Sequence, residues 1–311
     1  MEDTEPTYLD DVEEARNRPD KSVLAIRTMC PGKLLASDVA FPEQVQHLWI
    51  DTDEIFSYLK ADCDCRIMDA CTKNLVNFTQ LHTLKLQDVN LSSDLLTQFA
   101  QNSKNLTKIE FESHKTDETD DFEFDGEYNL KTRTMGPSKK EGLEAIFKIP
   151  TLKKIIFSHL HLSFFPKGPS NLSHIELNWV KTSSDDDEEL QLIHDEYFAN
   201  FSTHTNLTSV DITRRYNSPF KFSTLRLYKL KQLEELMYLG EFYSEDLKSL
   251  KLVFNLNLKY VYIKCDNTFR FKITSEDGEK WTIETENNGL VTVNSKEELL
   301  NLIDTFELTT L

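Results

Sequence analysis

The chain has 311 residues, 39% of them hydrophobic, and a formal net charge of −18. Length and apolar content suffice for two domains or for one extended array with a sizeable core. Eight glycines, no two close enough to build a phosphate-cradling loop, argue against nucleotide binding, and the acidity argues against a nucleic-acid face, which needs clustered Lys and Arg.

Residues 1–20 hold eight acids and two arginines, a local charge of −6. A secretory or transit peptide starts basic or apolar, so this segment reads as neither, and no apolar run approaches the ~20 residues of a membrane span. Five cysteines, an odd number without a framework spacing, suit a reducing compartment. The expectation is a protein of the cytoplasm, the nucleus or both, with no membrane partner. Residues 1–44 read as an acidic segment and a cap, whose apolar content comes from SVLAIRTM and LLASDVAFP.

From Val45 onward one pattern returns. NLTKIEF, NLSHIEL and NLTSVDI begin at Asn105, Asn171 and Asn206, and ordered recurrence of this kind is a repeat signal. With Leu-x-x-Leu-x-Leu as template and other apolar residues allowed, eight copies start at 45, 81, 106, 152, 172, 207, 233 and 258. The last two apolar positions of each copy alternate, which predicts a short strand with one buried face. These pairs are Leu48 and Ile50, Leu84 and Leu86, Ile109 and Phe111, and Ile155 and Phe157. Ile175 and Leu177, Val210 and Ile212, Leu236 and Tyr238, and Val261 and Ile263 complete the set. An amide precedes the first apolar residue in seven copies: Gln44, Gln80, Asn105, Asn171, Asn206, Gln232 and Asn257. Asn tolerates the left-handed conformation and bonds nearby backbone, so it is expected to make the turn into the strand; Gln fits that account less well.

After Leu86, VNLSSDLLTQFAQNSKNL has helical spacing, with Ser92, Ser93 and Asp94 as caps. A similar helix is predicted from Ser244. Long steps between copies hold inserts near 112–145 and 180–200. The first contains residues 112–127, with a local charge of −7, and the loop RTMGPSKKEG. The second contains TSSDDDEE before ELQLIHDEYFANF, a predicted helix. Both leave just after a strand, so they are expected on one rim. Beyond residue 264, FRFKIT and EKWTIET predict a hairpin about a Ser-Glu-Asp-Gly turn, followed by LVTV. Ser295 and Glu298 form a capping box before LLNLIDTF, so residues 265–311 read as a small β-rich cap ending in a helix.

Strand, turn, helix and return in about 20–29 residues is the leucine-rich-repeat unit. Residues 45–264 resemble that family, nearest the cysteine-containing repeat subtype of F-box substrate adaptors. Residues 81–106 carry the resemblance most fully, through Val89, Leu91, Ser92 to Asp94, Phe99-Ala100 and Asn105-Leu106. No copy has the subtype's Asn or Cys eight residues after its first apolar residue, and the 44 residues ahead of the array hold no F-box. The resemblance implies an α/β fold: a leucine-rich-repeat solenoid with a curved parallel sheet and helices outside, binding a protein on its concave strand face.

On that reading the outward strand positions form the candidate surface. Trp49, Glu110, Glu112, Glu176, Asp211, Met237, Leu239, Tyr260 and Tyr262 are singled out, an acidic centre beside an aromatic and Met-containing end. Asp51, Ile156 and Ser158 are expected exposed on the same face. The implied partner is a protein with basic and apolar features. A second reading gives binding to an acidic rim of Asp120, Asp121, Asp185, Asp186, Asp187, Glu188 and Glu189, in the manner of acidic leucine-rich nuclear regulators that bind basic proteins such as histones. Ser183 and Ser184 precede DDDEE and are candidate sites for acid-directed kinases; an unmodified solvated loop is the plainer alternative. Cys63, Cys65 and Cys71 lack zinc-site spacing, and His159 and His161 lack a third ligand close in sequence, so no metal or other cofactor is expected. No GxSxG, HExxH or triad signature occurs. The expected function is a non-enzymatic recognition scaffold, a substrate adaptor or a subunit of a larger assembly.

Overall fold

The computed structural model describes residues 7–27, 33–52, 72–89, 91–113, 134–135, 140–162, 164–180, 199–214, 221–265, 270–286 and 289–308. The chain divides into two compact units, Met1–His161 and Leu162–Leu311.

The first unit contains strands β1 (Val23–Arg27), β2 (His47–Asp51), β3 (Thr83–Gln87), β4 (Lys108–Glu112), the two-residue β5 (Thr134–Met135) and β6 (Lys154–Ser158). Its sheet runs in the order β1-β2-β3-β4-β6 with every adjacent pair parallel. Among its described residues the helices are α1 (Val12–Asn17), α2 (Ser37–Ala40), α3 (Ser93–Asn102) and α4 (Lys140–Phe147). The two-residue β7 (His161–Leu162) stands at the division. The second unit holds β8 (His174–Val180), β9 (Ser209–Arg214), β10 (Glu235–Leu239), β11 (Tyr260–Cys265), β12 (Phe271–Ser275), β13 (Trp281–Thr285) and β14 (Gly289–Val293). Strands β8 to β11 are parallel, and β11 to β14 antiparallel. Helices α5 (Asp246–Phe254) and α6 (Lys296–Leu308) belong to this unit, with 3-10 turns at Asn200–Thr203, Phe222–Leu225 and Leu227–Lys229. The fold is α/β with mostly parallel strands, and neither sheet closes into a barrel.

Each of the eight expected strands is present at its place, and the registers align like with like. Leu48, Leu84, Ile109 and Ile155 form one buried row of the first unit, and Ile50, Leu86, Phe111 and Phe157 the next. The Phe111 and Phe157 rings stack at 5.6 Å. In the second unit Ile175, Val210, Leu236 and Val261 make the corresponding row. Each fully buried side chain of this size stabilises by about 2 kcal/mol relative to exposure, so period-2 alternation fixes the register.

A shared hydrogen-bond motif marks the entries of β2, β3, β4, β6, β9, β10 and β11. One carbonyl ahead of a strand accepts two successive N–H groups of the next: His82 and Thr83 on Gln46 at 2.7 and 3.1 Å, Thr107 and Lys108 on His82 at 2.8 and 3.0 Å. Lys153 and Lys154 on Thr107, Thr208 and Ser209 on Ser173, Glu234 and Glu235 on Thr208, and Lys259 and Tyr260 on Glu234 repeat it. The Asn-Leu-Thr heptads serve this junction. Asn105 donates its amide to the Thr79 carbonyl at 3.4 Å and to Gln80 Oε1 at 3.2 Å, and Asn206 donates to the Ser170 carbonyl at 2.8 Å. Thr107 and Thr208 donate their hydroxyls to the His82 and Ser173 carbonyls. The left-handed turn expected of these amides is not adopted: among the described residues the positive-φ non-glycine ones are Phe41, Asp88, His159 and Arg226. The side chains tie one copy to the backbone of the copy before it.

The expected cap contributes a strand of its own. β1 lies parallel to β2 with Leu24 opposite Leu48, and Gln46 and His47 bond the Ser22 carbonyl just as later copies do. Lys21 stands where the other copies have their first apolar residue, which hid β1 from the template. Arg18 lies buried close by and donates to the carbonyls of Ala15, Lys21, Val23, Val39 and Ala40, closing the ends of α1 and α2.

Ser92 caps α3 as expected, accepting from the Leu95 N–H at 3.2 Å. Two boundaries differ. α4 begins at Lys140, inside the segment read as a loop. α5 begins at Asp246, and its anchor is the buried Asp246 carboxylate, which accepts from the N–H groups of Ser223 and Tyr243 at 2.7 and 3.0 Å. The C-terminal hairpin pairs Ile273 with Ile283, and Gly278 turns it with φ +69°. A Cβ there would also sit 2.1 Å from the Leu258 carbonyl oxygen, so glycine is required twice. Ser295 and Glu298 cap α6 through the Glu298 and Asn294 N–H groups. Among the described residues no helix is long and apolar enough to cross a membrane.

Candidate functional site

The candidate surface is the face of each sheet opposite the buried rows. Register makes its rows explicit. In the first unit the central row is Ala25, Trp49, Lys85, Glu110 and Ile156, and the next is Arg27, Asp51, Gln87, Glu112 and Ser158. Alternation alone puts all of these outward and open, yet Ala25, Asp51, Ile156 and Ser158 are buried. Asp51 accepts from Arg27 Nε at 2.8 Å, and the Arg27 guanidinium lies 4.3 Å from the centre of the Tyr8 ring. The exposure expected of Asp51, Ile156 and Ser158 is therefore corrected. Trp49 is half-buried and stacks on His47, whose Nδ1 lies 2.7 Å from the Thr83 hydroxyl. Burial, then the neighbouring His82, lowers the His47 pKa.

Glu110 and Glu112 converge on Lys85. The Lys85 ammonium lies 3.1 Å from Glu110 and bonds Glu112, while Lys108 lies 3.5 Å from Glu110. Burial pulls the Lys85 pKa down, but the Glu112 hydrogen bond and the charges of Glu110 and Glu112 outweigh it and leave the group above the ordinary lysine value. The acidic centre of this face is thus matched by two lysines.

The second unit distributes charge differently. Glu176 and Asp211 are register partners on β8 and β9, and the row continues through Met237, Tyr262 and Thr274. Asn178 donates to Glu176 Oε1 at 2.7 Å, and His174 Nε2 lies 3.7 Å from Glu176 Oε2. The adjacent row is Asn178, Thr213, Leu239, Lys264 and Lys272. Met237, Leu239 and Tyr262 are half-buried, and Tyr260 is 41% exposed. The Lys272 ammonium stands 5.6 Å from the Tyr262 ring centre, within cation–π range. Side chains this large, partly exposed on strands whose other face is locked in core, offer area for a partner at low ordering cost.

The structure therefore places Trp49, Glu110 and Glu112 on one face of the first unit, and Glu176, Asp211, Met237, Leu239, Tyr260 and Tyr262 on one face of the second. Asp120, Asp121, Ser183, Ser184, Asp185, Asp186, Asp187, Glu188 and Glu189 lie outside the described residues, as do Cys63, Cys65 and Cys71. His159 is described and takes a left-handed φ of 56°. Lys85 and Lys264, outward strand positions by alternation, and Lys272 on β12 join the residues singled out from the sequence. Alternation shows which face each of them is on. Their neighbours depend on strand register and, for Lys272, on the reversal of chain direction at β12. No protein-family model matches the chain, and no curated protein is detectably similar to it.

Proposed function

We propose that the repeated strand units are leucine-rich repeats, that they build a solenoid, and that the protein is a non-enzymatic recognition module, a substrate adaptor or a subunit of a larger assembly. Its compartment on this reading is the cytoplasm, the nucleus or both. The observation that carries the proposal is the partly exposed patch of Met237, Leu239, Tyr260 and Tyr262 beside the Glu176–Asp211 pair, all on one strand face. Truncating an aromatic hot spot commonly costs about 2 kcal/mol or more of binding energy. The test is a titration of the partner captured from native cells, at physiological ionic strength, against the full chain and its Tyr260→Ala/Tyr262→Ala variant. At least a thirtyfold loss of affinity is expected. Unchanged affinity in a variant with an unchanged unfolding midpoint would remove this face as the site.

The pairing of Glu110 and Glu112 with Lys85 and Lys108 supports a second reading, because it cancels acid on the strand face while the sequence puts five consecutive acids, Asp185 to Glu189, in one insert. In that reading the acidic rim binds basic proteins such as histones, and binding disappears at moderate salt.

A further inference from the structure

The strip across the second unit is ordered by charge. Glu176 and Asp211 sit on β8 and β9, Met237 and Tyr262 follow on β10 and β11, and Lys264 and Lys272 are register partners on β11 and β12. The sheet thus runs from anionic through apolar to cationic on a single face. Strand spacing sets the scale. From Asp211 to Lys264 is two strand steps and one row, ~12 Å; from Glu176 to Lys272 is four steps and one row, ~20 Å. An extended chain advances ~3.3 Å per residue, so about four to six residues cover the strip.

We infer that this strip recognises an extended peptide with a cationic side chain at one end, an apolar or aromatic anchor in the middle and a carboxylate at the other end. The inference rests on the recognition reading above and adds the chemistry of the partner. The Arg or Lys of the peptide lies against Glu176 and Asp211, its anchor against Met237 and Tyr262, and its acid against Lys264 and Lys272. Tyr262 already has the Lys272 ammonium over its ring, so an anchor packed beside it meets an aromatic side chain held by a cation. Charges at both ends also set direction, since a peptide with like charges at its ends places one of them against its own sign.

The probes are three fluorescein-labelled synthetic heptapeptides, blocked at both termini, with the common interior Ser-Phe-Ser-Leu-Ser. One has Arg first and Glu last, one has Arg at both ends, and one has Glu at both ends. Anisotropy titrations with the full chain are expected to give at least tenfold tighter binding for the mixed peptide than for either other. In Glu176→Gln/Asp211→Asn the mixed peptide should lose its advantage over the diacidic one. In Lys264→Gln/Lys272→Gln it should lose its advantage over the dibasic one. Tyr260→Ala/Tyr262→Ala should weaken all three. If the dibasic peptide binds as tightly as the mixed one in the unaltered chain, the cationic end plays no part and the inference fails, while sensitivity to the tyrosines would leave the wider reading standing. If no peptide binds up to millimolar concentration, the inference also fails, and the captured-partner titration decides the wider reading by itself.

Discussion

His204 is fully buried, with both ring nitrogens engaged. Nε2 lies 2.9 Å from the Pro166 carbonyl, which can only accept, so Nε2 carries the hydrogen. Nδ1 then accepts from the Ser170 hydroxyl at 2.8 Å, and Ser170 Oγ in turn accepts from the Leu172 N–H at the head of a repeat. Burial disfavours the charged ring and, despite the opposing hydrogen bond to Pro166, lowers the His204 pKa below the ordinary 6.5. The unfolded chain therefore binds this proton more readily than the folded one. Stability from this group is present in full above the unfolded value and is lost as pH falls from there toward the lower folded pKa. His204→Gln should lose about 1–3 kcal/mol at pH 7.5, because Gln cannot place both bonds. It should then lose less than the parent protein between about pH 7.5 and 5.5, where ordinary carboxylates stay ionised in both. Urea midpoints at the two pH values measure this. An equal further loss in the two proteins would show that His204 does not titrate against folding.

The α3–α4 pairing in the first unit depends on one small residue. A Cβ at Gly142 would lie 2.7 Å from Leu96 Cβ and 2.9 Å from the Ser93 carbonyl oxygen, and the Gly142 N–H bonds Ser93 Oγ at 2.7 Å. Alanine would gain up to about 1 kcal/mol of helix propensity, but overpacking against backbone costs about 1–3 kcal/mol and should win. Gly142→Ala is expected to lower the urea midpoint with an unchanged slope; a raised midpoint would show that the helices can part without cost. This contact also shows where sequence reading stops. The eight strands were legible because each alternation is anchored by a leucine-like residue three positions before it, and α3 because Ser92 precedes a 3.6-residue apolar spacing. β1 was not legible as a repeat, since Lys21 replaces that anchor. The start of α4 was hidden because Lys140, Glu141 and Gly142 have the composition of a loop, and the reason for the glycine lies in a helix more than 40 residues away. For the site, alternation identified the outward faces. It could not show that Lys85 sits beside Glu110 and Glu112, or Lys272 beside Tyr262, because those relations are made by register.

Over the whole chain, the charge of −18 resides in residues 1–20, 112–127 and 185–189, and the remainder is balanced. Charge held in local segments and charge held on a strand face act differently on binding. Acids in a solvated segment attract a basic partner from a distance and mainly raise its association rate, whereas groups within a packed patch govern dissociation. The two contributions separate with salt. The screening length is ~30 Å at 0.01 M and ~8 Å at 0.15 M ionic strength, so the field of an exposed charge largely vanishes beyond that length under physiological conditions. Replacing Asp185, Asp186 and Asp187 by Asn, and Glu188 and Glu189 by Gln, should slow association with the captured partner several-fold at the lower ionic strength. At the higher one the rate and the affinity should match the parent protein. Tyr260→Ala/Tyr262→Ala should instead speed dissociation at both. Stopped-flow association and surface-capture dissociation at the two ionic strengths measure these effects. If the neutralised segment abolishes binding under both conditions while the tyrosine variant binds normally, the acidic rim is the binding site and the strand face is not.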